Sequence, residues 1–298
     1  MPVTTTIHKP RALRPGDCIG VIAPGSPVAA EALRTGVAEL ERLGYRVRFR
    51  EDIFAADGYL AGGHDRRATE LLDLLRDPEV RALFFARGGY GSNYVLERLA
   101  GAALPEPKIV MGYSDATALL SFLWQRHGWV TFHGPMVATD FAQGPARYHL
   151  PSLTHALAGD AGEWLAGCAD QVLRPGVVEG TLLGGCLSLL VATLGTPREV
   201  DWQDAVLFLE DVGEAPYRLD RMLFHLREAG KLDGVRGILF GEMKDCGSGD
   251  LRALDGLDMP IARGFPSGHT TGANGCLPFG VRARLDHGRL TILEKAVC

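Results

Sequence analysis

The sequence predicts an α/β protein: an N-terminal domain built on a parallel sheet, followed by a C-terminal mixed α/β domain. Three observations carry this expectation. Short apolar runs at 18–23, 82–86 and 109–111 alternate with stretches of helical periodicity. Each run stops at a turn bearing glycine or proline (Pro24-Gly25, Arg87-Gly88-Gly89, Gly112). Residues 280–293 instead read as antiparallel pairing around Asp286-His287-Gly288. Strand–helix alternation with tight turns at strand ends builds a parallel sheet, and ligands collect at the carboxyl ends of its strands.

Residues 18–23 (CIGVIA) form the first strand, and Ser26-Pro27 then offer an N-cap and a first-turn proline for a helix to about residue 43. Residues 45–49 alternate as a second strand, and 64–76 carry leucines at helical spacing, with Pro78 just beyond. A third strand, 82–86, ends in Arg87-Gly88-Gly89-Tyr90-Gly91. A short helix at 92–99, a strand at 109–111, its helix at 115–126 and a strand at 130–132 complete a first domain, residues 1–140. The pattern blurs over 141–175, read as a linker with a helical piece at 152–157. The second domain, 176–298, holds a Gly-rich turn and helix at 183–194, a strand at 205–209, a helix at 217–229 and a strand at 237–240. A Gly- and Asp-rich loop follows, and the hairpin of 280–285 and 289–293 closes the chain.

Composition narrows the function. A net charge of −5 and a pI of about 6.0 argue against nucleic acid as a partner, because phosphate binding leaves a basic footprint. No apolar run reaches the length of a membrane span, and the N-terminal stretch MPVTTTIHKPRALRPGD has no apolar core of a signal peptide. A soluble, cytoplasmic protein is expected. The six cysteines form no C-x-x-C pair, there is no H-E-x-x-H, and no two histidines pair at ligand spacing. Neither a metal nor a cofactor is expected.

The chemistry centres on Gly112-Tyr113-Ser114-Asp115-Ala116, a serine between a strand end and a helix start. Such a turn exposes the hydroxyl while the helix N-terminus aims N–H groups at developing negative charge. The hydrolase elbow G-x-S-x-G lacks its second glycine here, and the fragment alone is read more simply as a helix cap. A nucleophilic serine needs a base and an orienting carboxylate. His133, after a strand in Phe132-His133-Gly134-Pro135, and His269, in the Gly-rich loop 264–272, are the two candidate bases. Glu210 ends the apolar strand before Asp211-Val212-Gly213-Glu214, although a solvated strand-end charge describes Asp211 and Glu214 equally well. For an oxyanion, the Asp115 N–H follows the serine, and Gly89 permits close backbone approach. The Gly88-Gly89 loop lacks the Lys-Ser/Thr of a nucleotide-binding loop.

Together the motifs resemble one family. In order they are Gly20-Val21-Ile22-Ala23-Pro24-Gly25-Ser26-Pro27, Arg87-Gly88-Gly89-Tyr90-Gly91-Ser92, Gly112-Tyr113-Ser114-Asp115 and Leu209-Glu210-Asp211. Tyr217-Arg218-Leu219-Asp220-Arg221-Met222-Leu223, Gly268-His269 and Leu277-Pro278-Phe279-Gly280-Val281 follow. This order is similar to that of the LD-carboxypeptidases (muramoyl-tetrapeptide carboxypeptidases), non-classical serine peptidases. The resemblance implies Ser114 as nucleophile, Glu210 as orienting acid, His269 as base, and the Gly89 and Asp115 N–H groups as oxyanion donors. It implies a murein tetrapeptide that loses its terminal D-alanine in cytosolic cell-wall recycling, a homodimer, and no metal. Arg218 is the first candidate to hold the substrate carboxylate, a salt bridge to Glu210 or Asp220 being the other reading. Cys186 and Ser267 stand where many relatives have Asn and Phe, and are expected to alter the pocket wall rather than the triad. A sister branch, the microcin-immunity proteins, hydrolyses acyl-sulfamoyl adenylates and needs an aromatic to stack on adenine, for which Trp164 and Trp202 are the candidates. A non-catalytic peptide-binding module is the reading from a different class.

Overall fold

The computed structural model describes residues 6–159, 162–247 and 251–298, so residues 248–250 of the expected Gly- and Asp-rich loop and 160–161 of the expected linker lie outside it. Along the chain run β1 (Cys18–Ile22), α1 (Ala30–Arg42), β2 (Arg46–Arg48), α2 (His64–Arg76), β3 (Val80–Phe85), α3 (Ser92–Ala100), β4 (Ile109–Gly112), α4 (Ala116–His127) and β5 (Thr131–His133). Then come α5 (Leu150–Ala158), β6 (Trp164–Cys168), β7 (Gln171–Arg174), β8 (Val177–Cys186), α6 (Leu187–Val191), β9 (Ala205–Glu210), α7 (Pro216–Glu228), β10 (Gly237–Gly241), β11 (Ile261–Phe265), β12 (Leu277–Phe279), β13 (Arg282–Asp286) and β14 (Arg289–Ile292). No helix among the described residues is long and apolar enough to cross a membrane.

The first sheet has the order β12-β5-β4-β3-β1-β2, parallel except for β12, which pairs antiparallel with β5 at the edge. Its central strands are buried on both faces, so they read as continuous apolar runs. Strand alternation sorts the side chains into two layers. Ile22, Leu83, Phe85 and Val110 pack under α2, α3 and α4, whose Leu71, Leu75, Leu96, Leu99, Leu119 and Leu123 cover them. Ile19, Val21, Phe84 and Met111 face the other way, toward Leu33 and Leu40 of α1, in a core continuous with that of the second sheet.

The second sheet has the order β6-β14-β13-β8-β9-β10-β11-β7. Its centre, β8-β9-β10-β11, is parallel and its flanks are antiparallel. Each sheet therefore has a parallel core whose carboxyl ends form one rim.

Three expectations need correction. The segment expected as a linker, 141–175, has its expected helical piece in α5 but also contains the flanking strands β6 and β7; these two strands carry mostly exposed or half-exposed side chains, which hides their periodicity. The Gly-rich turn and helix expected over 183–194 is the end of the ten-residue β8 followed by the short α6. Gly184 and Gly185 sit there at φ of 145° and 136° because a Cβ on Gly184 would overlap the Phe208 carbonyl and one on Gly185 would lie 2.6 Å from Thr117. Ser26 does not cap α1, whose N-cap is Ala29; its hydroxyl accepts the Tyr90 N–H instead, at 3.2 Å.

Gly36 of α1 packs on the chain just after β5: a Cβ there would overlap the carbonyl oxygen of Val137, a backbone atom that cannot swing aside. Alanine's helix propensity favours the substitution by about 1 kcal/mol, but overpacking a rigid contact costs roughly 1–3 kcal/mol, and a clash with backbone places it at the upper end. Gly36→Ala is expected to lower the urea midpoint of unfolding with an unchanged slope; an equal or higher midpoint would show that α1 does not seat on Val137 as described.

Candidate active site

Ser114 lies two residues beyond β4, in the middle of the first sheet, with φ of 61°. A left-handed conformation costs a non-glycine residue about 1–2 kcal/mol, so the turn is strained, as a nucleophile elbow is. The turn closes because Gly112 lacks a side chain: a Cβ there would lie 2.9 Å from both Phe85 and Ala116. With Gly112 yielding that space, Ala116 fits where the elbow pattern has its second glycine.

The loop after β3 is built onto this elbow. A Cβ on Gly88 would stand 2.8 Å from the Ser114 Cβ and 2.9 Å from its Oγ, so only glycine lets the loop lie against the serine. Gly89 adopts φ of 111°. Among the described residues the N–H groups of Gly89 and Asp115 have no protein acceptor. The Asp115 carboxylate, fully buried, fixes the loop from below. It accepts the Gly91 N–H at 3.2 Å, the Ser92 N–H at 2.9 Å and the Ser92 hydroxyl at 2.6 Å. Burial raises the Asp115 pKa, and these donors oppose the rise. Arg67, also fully buried, donates to the carbonyls of Pro24 and Gly91 and so ties the loop after β1 to the same assembly.

The second sheet contributes from the facing rim. Glu210 ends β9 and is fully buried. Its Oε2 accepts the Nδ1–H of His269 at 2.7 Å and the backbone N–H of His269 at 3.0 Å. With Nδ1 donating, Nε2 is the nitrogen left free to take a proton. Burial alone would lower the His269 pKa; the hydrogen bond and charge of Glu210 outweigh it and carry the net shift above the usual 6.5. Burial would likewise raise Glu210, and the bond and charge of His269 bring it below its usual value. Both directions describe one charge-assisted pair. Gly268 makes it possible: at φ of 86°, a Cβ there would lie 2.6 Å from the Glu210 carboxyl carbon.

Tyr113, the residue before Ser114, sets its ring edge-on to the His269 imidazole, with centroids 4.9 Å apart at 87°. This contact brings the two halves of the site together. Among the described residues no hydrogen bond joins Ser114 Oγ to His269, a contact that in such sites tightens when a carbonyl is bound.

The remaining candidates separate cleanly. His133 is fully buried in β5 between Phe208 and Phe279, with neither ring nitrogen hydrogen-bonded among the described residues, and burial pushes its pKa down to about 4. Arg218 is exposed on α7. Its Nη1 stands 3.6 Å from Glu214, and the alternative reading, a salt bridge to Glu210 or Asp220, is not formed; Asp220 accepts the Ala253 N–H. Trp164 and Trp202 are 7% and 3% exposed and offer no face for stacking. Ser267 is buried and donates to the Gly275 carbonyl at 2.9 Å, which makes it a loop brace rather than pocket wall. Cys186 ends β8 directly beside Glu210 in the register, and its N–H is held by Thr117 Oγ1 at 3.0 Å. A cavity of about 550 Å³ opens along the carboxyl ends of β10 and β11 and reaches Thr271, two residues past His269.

Sequence reasoning missed the groups that brace the site: the carboxylates of Asp115 and Asp140, the Tyr113 ring, Ser92, Arg67 and Asn274. Asp115, Tyr113 and Ser92 sit within the motifs already singled out, whereas Asp140, Arg67 and Asn274 carried no such signal.

Comparison with known proteins identifies the family. A profile described as the LD-carboxypeptidase N-terminal domain matches residues 19–134, and its C-terminal counterpart matches 179–285. The probable murein peptide carboxypeptidase of Bacillus subtilis is 36% identical over 97% of this chain and 95% of its own. The murein tetrapeptide carboxypeptidase of Pseudomonas aeruginosa is 32% identical over 91% of this chain and 94% of its own. Among solved structures, the microcin C7 self-immunity protein MccF in its wild-type apo state superposes with a TM-score of 0.85 at 27% identity, covering 97% of this chain and 99% of that one. With both of its halves matched in order, and relatives aligned along nearly its whole length, the chain belongs to the LD-carboxypeptidase family.

Proposed function

We propose that the protein is a serine-type LD-carboxypeptidase that removes the terminal D-alanine from a murein tetrapeptide, acting in the cytoplasm as a metal-free homodimer in peptidoglycan recycling. The observation that carries this reading is the buried carboxylate of Glu210 on the Nδ1 side of His269, with that imidazole packed against the neighbour of Ser114. In the reaction Ser114 Oγ attacks the scissile carbonyl while His269 Nε2 takes its proton. Glu210 holds the tautomer and stabilises the imidazolium. The oxyanion is received by the N–H groups of Gly89 and Asp115. Return of the proton to the amine expels D-alanine, leaving an ester on Ser114. Water, deprotonated by His269, then hydrolyses that ester and restores the hydroxyl. Arg218 is the candidate cation for the terminal carboxylate.

A second reading, hydrolysis of acyl-sulfamoyl adenylates, is favoured by the likeness to the microcin C7 self-immunity protein. The burial of Trp164 and Trp202 weighs against it, since neither offers an adenine platform.

Mass spectrometry of the protein incubated with L-Ala-γ-D-Glu-meso-diaminopimelate-D-Ala is expected to show loss of one alanine with the wild type and none with Ser114→Ala. An intact tetrapeptide would move the assignment to the adenylate. His269→Ala is expected to lower kcat by roughly 10³-fold, whereas His133→Gln, lacking a hydrogen bond to the pair, is expected to leave turnover readily measurable; the reverse order would make His133 the base. The proposed steps run through Ser114, His269 and Glu210 alone, so EDTA is expected to leave the rate unchanged. Loss of activity on chelation, restored by a divalent metal, would overturn the metal-free mechanism.

A further inference from the structure

His269 lies on a loop, and a loop needs external bracing to hold an imidazole within a few tenths of an ångström. The second sheet supplies little of it. Besides Glu210, Glu242 accepts the N–H and hydroxyl of Thr271, each at 2.8 Å. Most of the bracing comes from the chain that leaves the first sheet. Arg147 donates to the carbonyls of Thr270 and Thr271, the Ser152 hydroxyl accepts the Cys276 N–H at 3.0 Å, and Asn274 is bonded on every side. The Asn274 N–H donates to the Arg147 carbonyl at 3.0 Å, and its carbonyl accepts the His149 N–H at 2.9 Å. Its Oδ1 accepts the Gly268 N–H at 2.9 Å, and its Nδ2 donates to Asp140 Oδ1 at 3.5 Å. Asp140 is nearly fully buried and is itself fixed, its Oδ2 accepting the Met136 N–H and the Thr139 hydroxyl, each at 2.9 Å. The Tyr113 hydroxyl lies beside Asp140 and Thr139, while its ring rests on His269.

A closed circuit results: Tyr113 to Asp140, Asp140 to Asn274, Asn274 to Gly268, and His269 back to Tyr113. We propose that Asn274, held by Asp140, is a positioning residue that sets the Gly268–His269 peptide and thereby the placement of the imidazole between Glu210 and Ser114. The inference rests on the assignment of His269 as base. It also explains why the bond falls on Gly268. That residue lies so near the Glu210 carboxyl that a Cβ would stand 2.6 Å from its carbon, and its N–H is the handle by which Asn274 holds the loop on the acid.

Removing Oδ1 leaves the buried Gly268 N–H without an acceptor and frees the loop to shift, and a misplacement of about 1 Å costs on the order of 10²-fold in rate. On the tetrapeptide, Asn274→Ala is expected to lower kcat by about that factor with KM nearly unchanged. Asn274→Asp sets two carboxylates face to face and is expected to fall as far. Asp140→Asn combined with Asn274→Asp restores the bond with donor and acceptor exchanged, and is expected to recover most of kcat. A readout that needs no substrate is the downfield Nδ1–H proton resonance of His269, identified by its loss in Glu210→Gln. It is expected to shift or broaden in Asn274→Ala and to return in the double exchange. A wild-type kcat and resonance in Asn274→Ala would overturn the proposal, as would a double exchange no better than Asn274→Asp. Should Asn274→Ala fail to fold, the comparison of Asn274→Asp with the double exchange decides alone. Full activity in His269→Ala would instead remove the base assignment itself, a failure distinct from an inactive His269→Ala beside a fully active Asn274→Ala.

Discussion

The site depends on a fully buried carboxylate. Taking the charge of Glu210 out of water costs several kcal/mol, and the only protein hydrogen bonds to it among the described residues come from one residue, through the His269 backbone N–H and Nδ1–H. Any drift of the His269 loop would leave that charge uncompensated. The fold answers by fixing the loop at Gly268: no side chain would fit between it and the carboxyl group, and Asn274 holds its N–H. Burial and function are thus coupled. The same desolvation that makes Glu210 expensive strengthens its pull on the imidazole, and His269 ends with a raised pKa despite being mostly buried itself.

The other half of the site follows a different rule. The elbow, the loop after β3 and the loop after β1 approach so closely that side chains are excluded at Gly25, Gly88, Gly89 and Gly91. Glycine brings conformational freedom with it, which would blur the two N–H groups proposed to receive an oxyanion. The buried Asp115 carboxylate and Arg67 guanidinium remove that freedom by binding backbone N–H and carbonyl groups of these loops. Donors held this way need no reorganisation when negative charge develops.

Legibility from sequence tracked the range of the interaction. α2 falls where leucine spacing puts it, and β1, β3, β4 and β5 lie within a residue or two of their apolar runs, because buried parallel strands write their burial locally. Ser114, Glu210 and His269 were each nameable from a strand end or a Gly-rich loop. Their convergence was not, since it depends on two rims brought together by packing and by β12, which returns from the second half of the chain to pair with β5. The Asp140–Asn274 bond spans 134 residues and neither partner sits in a motif. β8 was misread for a physical reason: glycine permits tight turns and close strand approach alike, and only the position of Phe208 tells which. β6 and β7 were missed because most of their side chains face solvent, leaving no apolar alternation to read.

The central claim is that the Glu210 charge governs the proton affinity of His269, and the pH dependence of kcat/KM tests it most directly. A base must be unprotonated to act, so the rate rises with pH through its folded pKa, and kcat/KM reports that ionisation in the free enzyme. For the wild type the account predicts an acid limb with a midpoint above 6.5, the usual histidine value, because Glu210 outweighs the burial of His269. In Glu210→Gln the charge is gone while burial remains, so the limb is predicted to move to lower pH as the maximal rate falls. A wild-type midpoint near 4, where His133 ionises, or a limb that does not move in Glu210→Gln, would contradict the account.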